Sequence, residues 1–323
     1  MIVTMKHSMT KLAKKERQSM NTKKFTKICK MSQAALKDYV TTQLGYTHDI
    51  VIKGDGYVYA KGSFPVLLVA HMDTVHKELP HTIVYNSETQ IVSSPNGIGG
   101  DDRCGIYMVL EVIKKFNCSV LFTEDEEIGG IGADKFIETK LANELEFNYM
   151  IEFDRANAND AVFYDCDNPE FEEFITKEFY KTSWGSFSDI SILAPYIGCA
   201  AVNLSCGYYK AHTKDEYVVL TEMDKSIEAA CAILERTTEE DKFEYIEAKY
   251  SGYYNKYGIY YDDDEYYRDR YYTVEFTDKN GNTQWFDTTA RTEVEAVGMF
   301  CMQYPDMTYG DIIEVYYMSD YSY

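Results

Sequence analysis

The sequence has no run of about 18 apolar residues, so it contains no segment that would cross a membrane as a helix. Its basic N-terminus lacks an apolar h-region, and it is therefore not expected to act as a signal peptide. It lacks any Cys-x-x-Cys pair. Its eight cysteines are scattered, the pattern of reduced, mostly buried thiols in a cytoplasm rather than of a disulfide framework. It also lacks an overall basic excess. The formal net charge is −21, which argues against nucleic acid or an anionic membrane as the main partner. What remains is an ordinary globular composition, 45% hydrophobic and 26% charged over 323 residues. That length suffices for one large core or two smaller ones.

The charge is uneven. Residues 1–30 hold nine Lys/Arg and a single acid, Glu16, for a net of +8, so the other 293 residues carry −21 − 8 = −29. With few large apolar residues, 1–30 is expected to be a flexible tail. From Ser32 a helical spacing begins with Ala35, Leu36, Tyr39, Val40 and Leu44, and Gly45 ends it. Strands are expected at Asp49–Ile52, Tyr57–Ala60 and Pro65–Ala70, the last a continuous apolar run of the buried parallel kind. Beyond them alternate a helix (Arg103–Phe116), a strand (Ser119–Phe122), a helix (Ala133–Thr139), a strand (Tyr149–Phe153), a helix (Pro169–Tyr180), a strand (Ala200–Leu204) and a helix (Glu222–Leu234). This alternation predicts an α/β fold, a three-layer, mostly parallel sheet with helices on both faces, over residues 31–244. Residues 245–270, rich in Tyr and acid, read as a linker. Residues 271–323 read as a small ββαβ unit, with a helix expected at Thr289–Gln303 and a core of Val274, Phe276, Val294, Val297, Phe300 and Ile313, in which no catalytic constellation is visible and to which no partner is assigned.

Five segments each follow a predicted strand: HMD (His71–Asp73), GIGGDDRCG (Gly97–Gly105), TEDEEIGGIGA (Thr123–Ala133), Asp154 closing YMIEFD, and AHTKDEYV with His212. Singly each is a common pattern. Together they bring two histidines and several carboxylates to the strand ends of one sheet, where function collects in such folds. Imidazole plus carboxylate without thiolate suits a catalytic zinc site, with manganese or cobalt as alternatives. His71 would bind one metal. Asp73, two residues on along an extended segment, would fix its tautomer. The Asp101–Asp102 pair would supply a bridging carboxylate. Of Glu126 and Glu127, one would ligate and the other would act as base on a metal-activated water. Asp154 and His212 would complete the ligands of the second metal. His76 and His81 read as loop surface, Cys104 as a packed thiol, and Ser188–Asp189 as a helix cap.

These motifs, in order, resemble the zinc-dependent exopeptidases that include peptidase T, the glutamate carboxypeptidases and acetylornithine deacetylase, with peptidase T nearest. AHMDT, GGDDRCG, TEDEEIGGIGA and GYYKAHTKDEYVVLTEMDKSIEAA carry the resemblance, which spans about residues 32–236. It implies two zinc ions held by His71, Asp101, Glu127, Asp154 and His212. It also implies Asp101 as the bridge, Glu126 as general base, Asp73 as orienter of His71, and a cis peptide at Asp101–Asp102. Most relatives insert a lid domain of roughly a hundred residues between the last two ligands, and that lid often dimerises. Here only 57 residues lie between Asp154 and His212, so no lid is expected. The expected activity is amide hydrolysis by a cytoplasmic aminopeptidase acting on short peptides. An N-acyl amino acid deacylase, a carboxypeptidase and a non-catalytic scaffold stand as the alternatives.

Overall fold

The apolar run at Pro65–Ala70 forms the interior of an eight-residue strand in a computed structural model that describes residues 22–248, 270–279, 281–290 and parts of 296–318. The described residues fall into two units, divided between Glu247 and Ala248.

In the first unit the strands are β1 (Ile50–Lys53), β2 (Tyr57–Lys61), β3 (Phe64–His71), β4 (Val84–Asn86), β5 (Ile91–Ser93), β6 (Cys118–Thr123), β7 (Tyr149–Arg155), β8 (Asp160–Val162), β9 (Lys181–Thr182), β10 (Ala201–Ser205), β11 (Tyr208–Tyr209) and β12 (Tyr217–Val219). The helices are α1 over residues 22–29, α2 (Gln33–Leu44), α3 (Gly100–Val112), α4 (Ile131–Ile137), α5 (Pro169–Thr176), α6 (Asp189–Ile197) and α7 (Leu220–Arg236). The main sheet runs β1-β2-β6-β3-β7-β10-β8-β9, and its centre, β6-β3-β7-β10, is parallel throughout.

Side-chain alternation along β3 builds the three layers. Val66, Leu68 and Ala70 enter one core with Phe25, Leu36 and Val40 of α1 and α2, Tyr107 of α3 and Ile233 of α7. Leu67 and Val69 enter the other with Phe136 of α4 and Leu193 of α6. The expected sheet with helices on both faces is therefore the one found. A second, four-stranded sheet, β11-β12-β5-β4, has no counterpart in the sequence reading. Its strands are two or three residues long, too short for a periodic signal.

Three expectations are corrected. The tail does not extend to residue 30, because Phe25, Ile28 and Cys29 are buried and Phe25 meets Tyr107 edge-to-face at 5.8 Å. Three apolar residues at i, i+3 and i+4 anchor α1 despite the lysines around them. At the other end, the linker does not begin at residue 245. The Phe243 ring, inside the expected domain, packs on Tyr149, Phe171 and Phe174, and beyond it Tyr245 N–H donates to the Gly198 carbonyl at 3.1 Å and Asp167 N–H to the Ile246 carbonyl at 2.7 Å, so residues 245–247 belong to the first unit as well. Third, α3 begins three residues before Arg103. Asp101 and Asp102 sit inside its first turn with non-helical backbone, and the Asp101–Asp102 peptide is cis, as the resemblance implies. Gly105 lets α3 lie on β7, for a Cβ there would stand 1.9 Å from the Phe153 carbonyl oxygen.

The second unit is a three-stranded antiparallel sheet, β14-β13-β15, of β13 (Arg270–Thr277), β14 (Thr283–Ala290) and β15 (Ile312–Met318). Residues 296–297 and 299–300 are helical, as a ββαβ unit requires. Val274, Phe276 and Phe300 are its buried centre. β14 continues to Ala290, beyond the expected helix start at Thr289, because it pairs with β13 along its full length. Ile313, expected in this core, is exposed. Val294 and most of the Tyr-rich stretch lie outside the described residues.

Candidate metal centre

Parallel strands put their carboxyl ends at one edge, and the site is built there. His71 is the last residue of β3, Asp154 lies near the end of β7, and Glu126 and Glu127 follow β6. Asp101 comes from the kinked start of α3. His212 sits in the turn between β11 and β12 with a left-handed backbone (φ +63°). Five separate chain segments thus converge. All seven residues singled out in the sequence come together here.

His71 Nδ1 meets Asp73 Oδ1 at 3.1 Å, leaving Nε2 directed at Asp101 Oδ1 (3.1 Å) and Asp154 Oδ1 (3.4 Å). His212 Nε2 meets the other Asp101 oxygen at 3.1 Å and Glu127 Oε2 at 3.0 Å. Two sets of candidate donor atoms result, His71–Asp101–Asp154 and Asp101–Glu127–His212, each with its atoms within 4.8 Å of one another and with Asp101 in both. Glu126 belongs to neither, and its Oε2 lies 3.9 Å from His71 Nε2. Asp73 also accepts the backbone N–H groups of Glu126 (3.1 Å) and Glu127 (3.0 Å). It therefore orients the imidazole and the glutamate pair together.

The electrostatics are those of crowded, buried carboxylates. Burial pushes Glu126 well above its ordinary range, opposed by His71 and reinforced by Asp154, Asp189 and Glu127. Burial, with Asp101 nearby, raises Glu127 to about 7. Burial alone would lower both imidazoles. The surrounding acids outweigh it, holding His71 well above its usual value and His212 at about 11. Asp101 goes the other way. Burial would raise it, but its hydrogen bonds to both histidines hold it well below the usual carboxylate range. A cluster that gathers protons in this way is one that a divalent cation would discharge. The donor set, imidazole and carboxylate in two adjoining groups sharing one aspartate, fits zinc, manganese or cobalt.

Beneath this layer lies a second one that the sequence reading missed. Glu152, two residues before Asp154 on β7 and thus on the same face, is fully buried. Ser188 Oγ lies 2.5 Å from Glu152 Oε2 and 3.0 Å from Asp154 Oδ2. One hydroxyl proton cannot serve both carboxylates. Burial, with Asp154 nearby, holds the Glu152 carboxyl well above its ordinary range. Ser188 is the N-cap of α6, as expected, with its N–H donating to Ser191 Oγ at 3.2 Å, and its hydroxyl is in addition engaged in this network. Asp189 is fully buried, hydrogen-bonded by Thr123, and pushed by burial to about 7. His76, expected on the loop surface, meets Glu216, a residue the sequence reading did not single out. Glu216 is fully buried, and His76 Nε2 meets it at 2.8 Å rather than lying on the surface. The alternation rule would have found Glu152, but no periodic signal marks Glu216.

No family model and no curated protein matches the chain by sequence. Solved structures do match by fold. Aminopeptidase PepT from Bacillus cereus aligns with a TM-score of 0.55 at 14% identity, covering 68% of this chain and 98% of that one. A tripeptidase from Staphylococcus aureus gives 0.54 at 12%, covering 67% and 97%. An aminopeptidase from the archaeon Desulfurococcus kamchatkensis gives 0.54 at 15%, covering 69% and 97%. The chain has the aminopeptidase fold. Within that fold, the 57 residues between Asp154 and His212 form β8, α5, β9, α6, β10 and β11, all within the first unit. No lid-sized insertion separates the two donors.

Proposed function

We propose that the chain is a di-zinc hydrolase of amide bonds, an aminopeptidase acting on short peptides. The observation that carries this reading is the pair of three-residue donor sets sharing Asp101, with one buried glutamate, Glu126, left outside both. His71, Asp101 and Asp154 would hold one ion, and Asp101, Glu127 and His212 the other. Zinc there would polarise the scissile carbonyl and lower the pKa of water towards about 7. Glu126 takes the proton from the attacking water and hands it to the leaving amine. Its raised pKa suits both halves of that transfer. Asp73 keeps Nε2 of His71 free for the metal by engaging Nδ1. The fold shared with two aminopeptidases and a tripeptidase supports peptides as substrates. Deacylation of N-acyl amino acids is the second reading, because the same donors serve it.

The test is metal analysis of the purified chain together with hydrolysis of a small set of dipeptides, tripeptides and N-acetyl amino acids, before and after chelation. Two zinc ions per chain and peptide cleavage that is lost to chelator and restored by zinc are expected. One ion, or cleavage indifferent to chelation, overturns the di-zinc reading. Cleavage of the acetyl compounds alone turns it to the deacylase.

A further inference from the structure

Glu216 is four residues after His212 and immediately precedes β12. It has no exposed surface. An isolated buried carboxylate is costly, so its partners are informative. Its Oε1 accepts the N–H of Asp101 at 3.0 Å. Its Oε2 accepts the N–H of Gly99 at 2.8 Å and meets His76 Nε2 at 2.8 Å. One side chain therefore ties together three segments: the loop after β3, the glycine-rich approach to α3, and the strand that follows His212. A parallel tie is the Gly97 N–H donating to the Lys214 carbonyl at 3.0 Å. Gly97 (φ +86°) also leaves room for the imidazole, for a Cβ there would stand 2.2 Å from the His76 ring.

The two ends of this clamp are not equivalent. β12 is held on both sides, by β5 and by β11. The Gly97–Asp102 segment is a turn with left-handed residues at Gly97 and Gly99 and non-helical backbone at Asp101 and Asp102. Glu216 thus anchors the irregular segment to a sheet. The atom it grips is the backbone N–H of Asp101, whose carboxylate is common to both donor sets, and it does so from the segment that carries His212.

We infer that Glu216 is a positioning residue for the metal centre. It fixes the bridging aspartate relative to His212, with His76 completing its hydrogen bonding. This rests on the di-zinc reading. The Asp101–Glu127–His212 set depends on it most, because two of its three members lie on the segments Glu216 joins. His71 and Asp154 are held independently by β3 and β7.

Glu216→Gln is the discriminating variant. The donors facing Glu216 include two backbone N–H groups, which cannot become acceptors. An amide nitrogen in place of either oxygen sets donor against donor. Zinc affinity is measured by competition with a chromogenic chelator, alongside thermal unfolding, kcat and KM. The control is Ser226→Ala, a fully buried change that removes the hydrogen bonds to Tyr180 and to the Ser205 carbonyl in the core.

Glu216→Gln is expected to fold and to bind the more weakly held zinc about 10–100-fold less tightly, the usual effect of losing a group that orients a ligand. Its kcat should recover in excess zinc with KM little changed. Ser226→Ala should lower the melting temperature and leave zinc affinity alone. If Glu216→Gln melts lower but binds both ions as tightly as the unaltered chain, the residue is structural only and the inference fails. If Glu216→Gln does not fold, His76→Ala decides. It removes a single donor, and a several-fold loss of zinc affinity is expected while unchanged affinity overturns the inference. If the unaltered chain itself binds fewer than two ions, the di-zinc reading has failed instead.

Discussion

Glu126 and Glu127 are neighbours in sequence and share the buried edge, yet their surroundings separate them. Glu127 Oε2 is 3.0 Å from His212, within a donor set, while Glu126 stands 3.9 Å from the imidazole of His71, outside both sets. Glu126→Gln should therefore retain both zinc ions and lose roughly 10²–10⁴ in turnover, the usual contribution of a positioned base. Glu127→Gln should instead weaken zinc binding about 10–100-fold, with turnover recovering in excess metal. Zinc titration and steady-state rates on the two variants check this, and exchanged phenotypes would reverse the roles. The pair also shows what a sequence can carry. That one glutamate would ligate and the other serve as base is an expectation from chemistry. Which is which came from a resemblance, and the 3.0 Å between Glu127 and His212 is the observation that supports the proposed assignment.

At the scale of elements, what was legible followed the apolar pattern. β3 and β6 are largely apolar runs and β7 is apolar up to Glu152, and their kind and mostly parallel pairing could be read from the alternation of strands with helices. Their ends, where the donors sit, were legible for the same reason. The start of α3 was not, because its backbone leaves the helical region at Asp101 and Asp102 and no propensity describes that. The second sheet was not legible either, and with it went Glu216, whose role depends on β12. The first unit was ended three residues early because Tyr245, Ile246 and Glu247 open a Tyr- and acid-rich stretch, and no pattern marks their backbone bonds beside Phe243 and its three ring partners. A chain ending at Glu247 should therefore fold as the full first unit does. One ending at Thr238 loses those three aromatic pairs, at roughly 2–4 kcal/mol in total. Comparing the urea midpoints of the two truncations tests this. Equal midpoints would show that residues 239–247 contribute nothing.

For the whole molecule, the acid excess has a pH consequence. Asp189 is raised by burial from 3.8 to about 7, so the folded chain holds a proton there that the unfolded chain has released. The stability this gives is complete below about pH 4 and is lost as pH rises through 7. His212, raised from 6.5 to about 11 by Asp101 and Glu127 against the effect of burial, adds a term of the same sign, present below pH 6.5 and lost as pH rises through 11. The metal-free chain should therefore become less stable between pH 5 and pH 8, with buried Asp189 supplying most of the fall and His212, 43% exposed and screened by water, the lesser part. Added zinc should reduce the decline, since it takes the place of the proton on His212 but not of the one on Asp189, which belongs to neither donor set. Thermal melts across that range, with chelator and with zinc, provide the check. A metal-free chain whose melting temperature rises from pH 5 to pH 8 would contradict it.

The spread of the donors along the chain bears on how the protein is born. His71, Asp101 and Asp154 have all been translated once residue 154 is made, but the other set waits for His212, and the residue that clamps it for Glu216. The gap is 212 − 154 = 58 residues, about 3–12 s at a bacterial or eukaryotic ribosome's roughly 5–20 residues per second. For that interval the emerging polypeptide holds its base and one complete ligand triad but not the other. On the proposed reading, a hydrolase whose second donor set waits for His212 and Glu216 would stay inert beside the other nascent chains around it until β12 has been made.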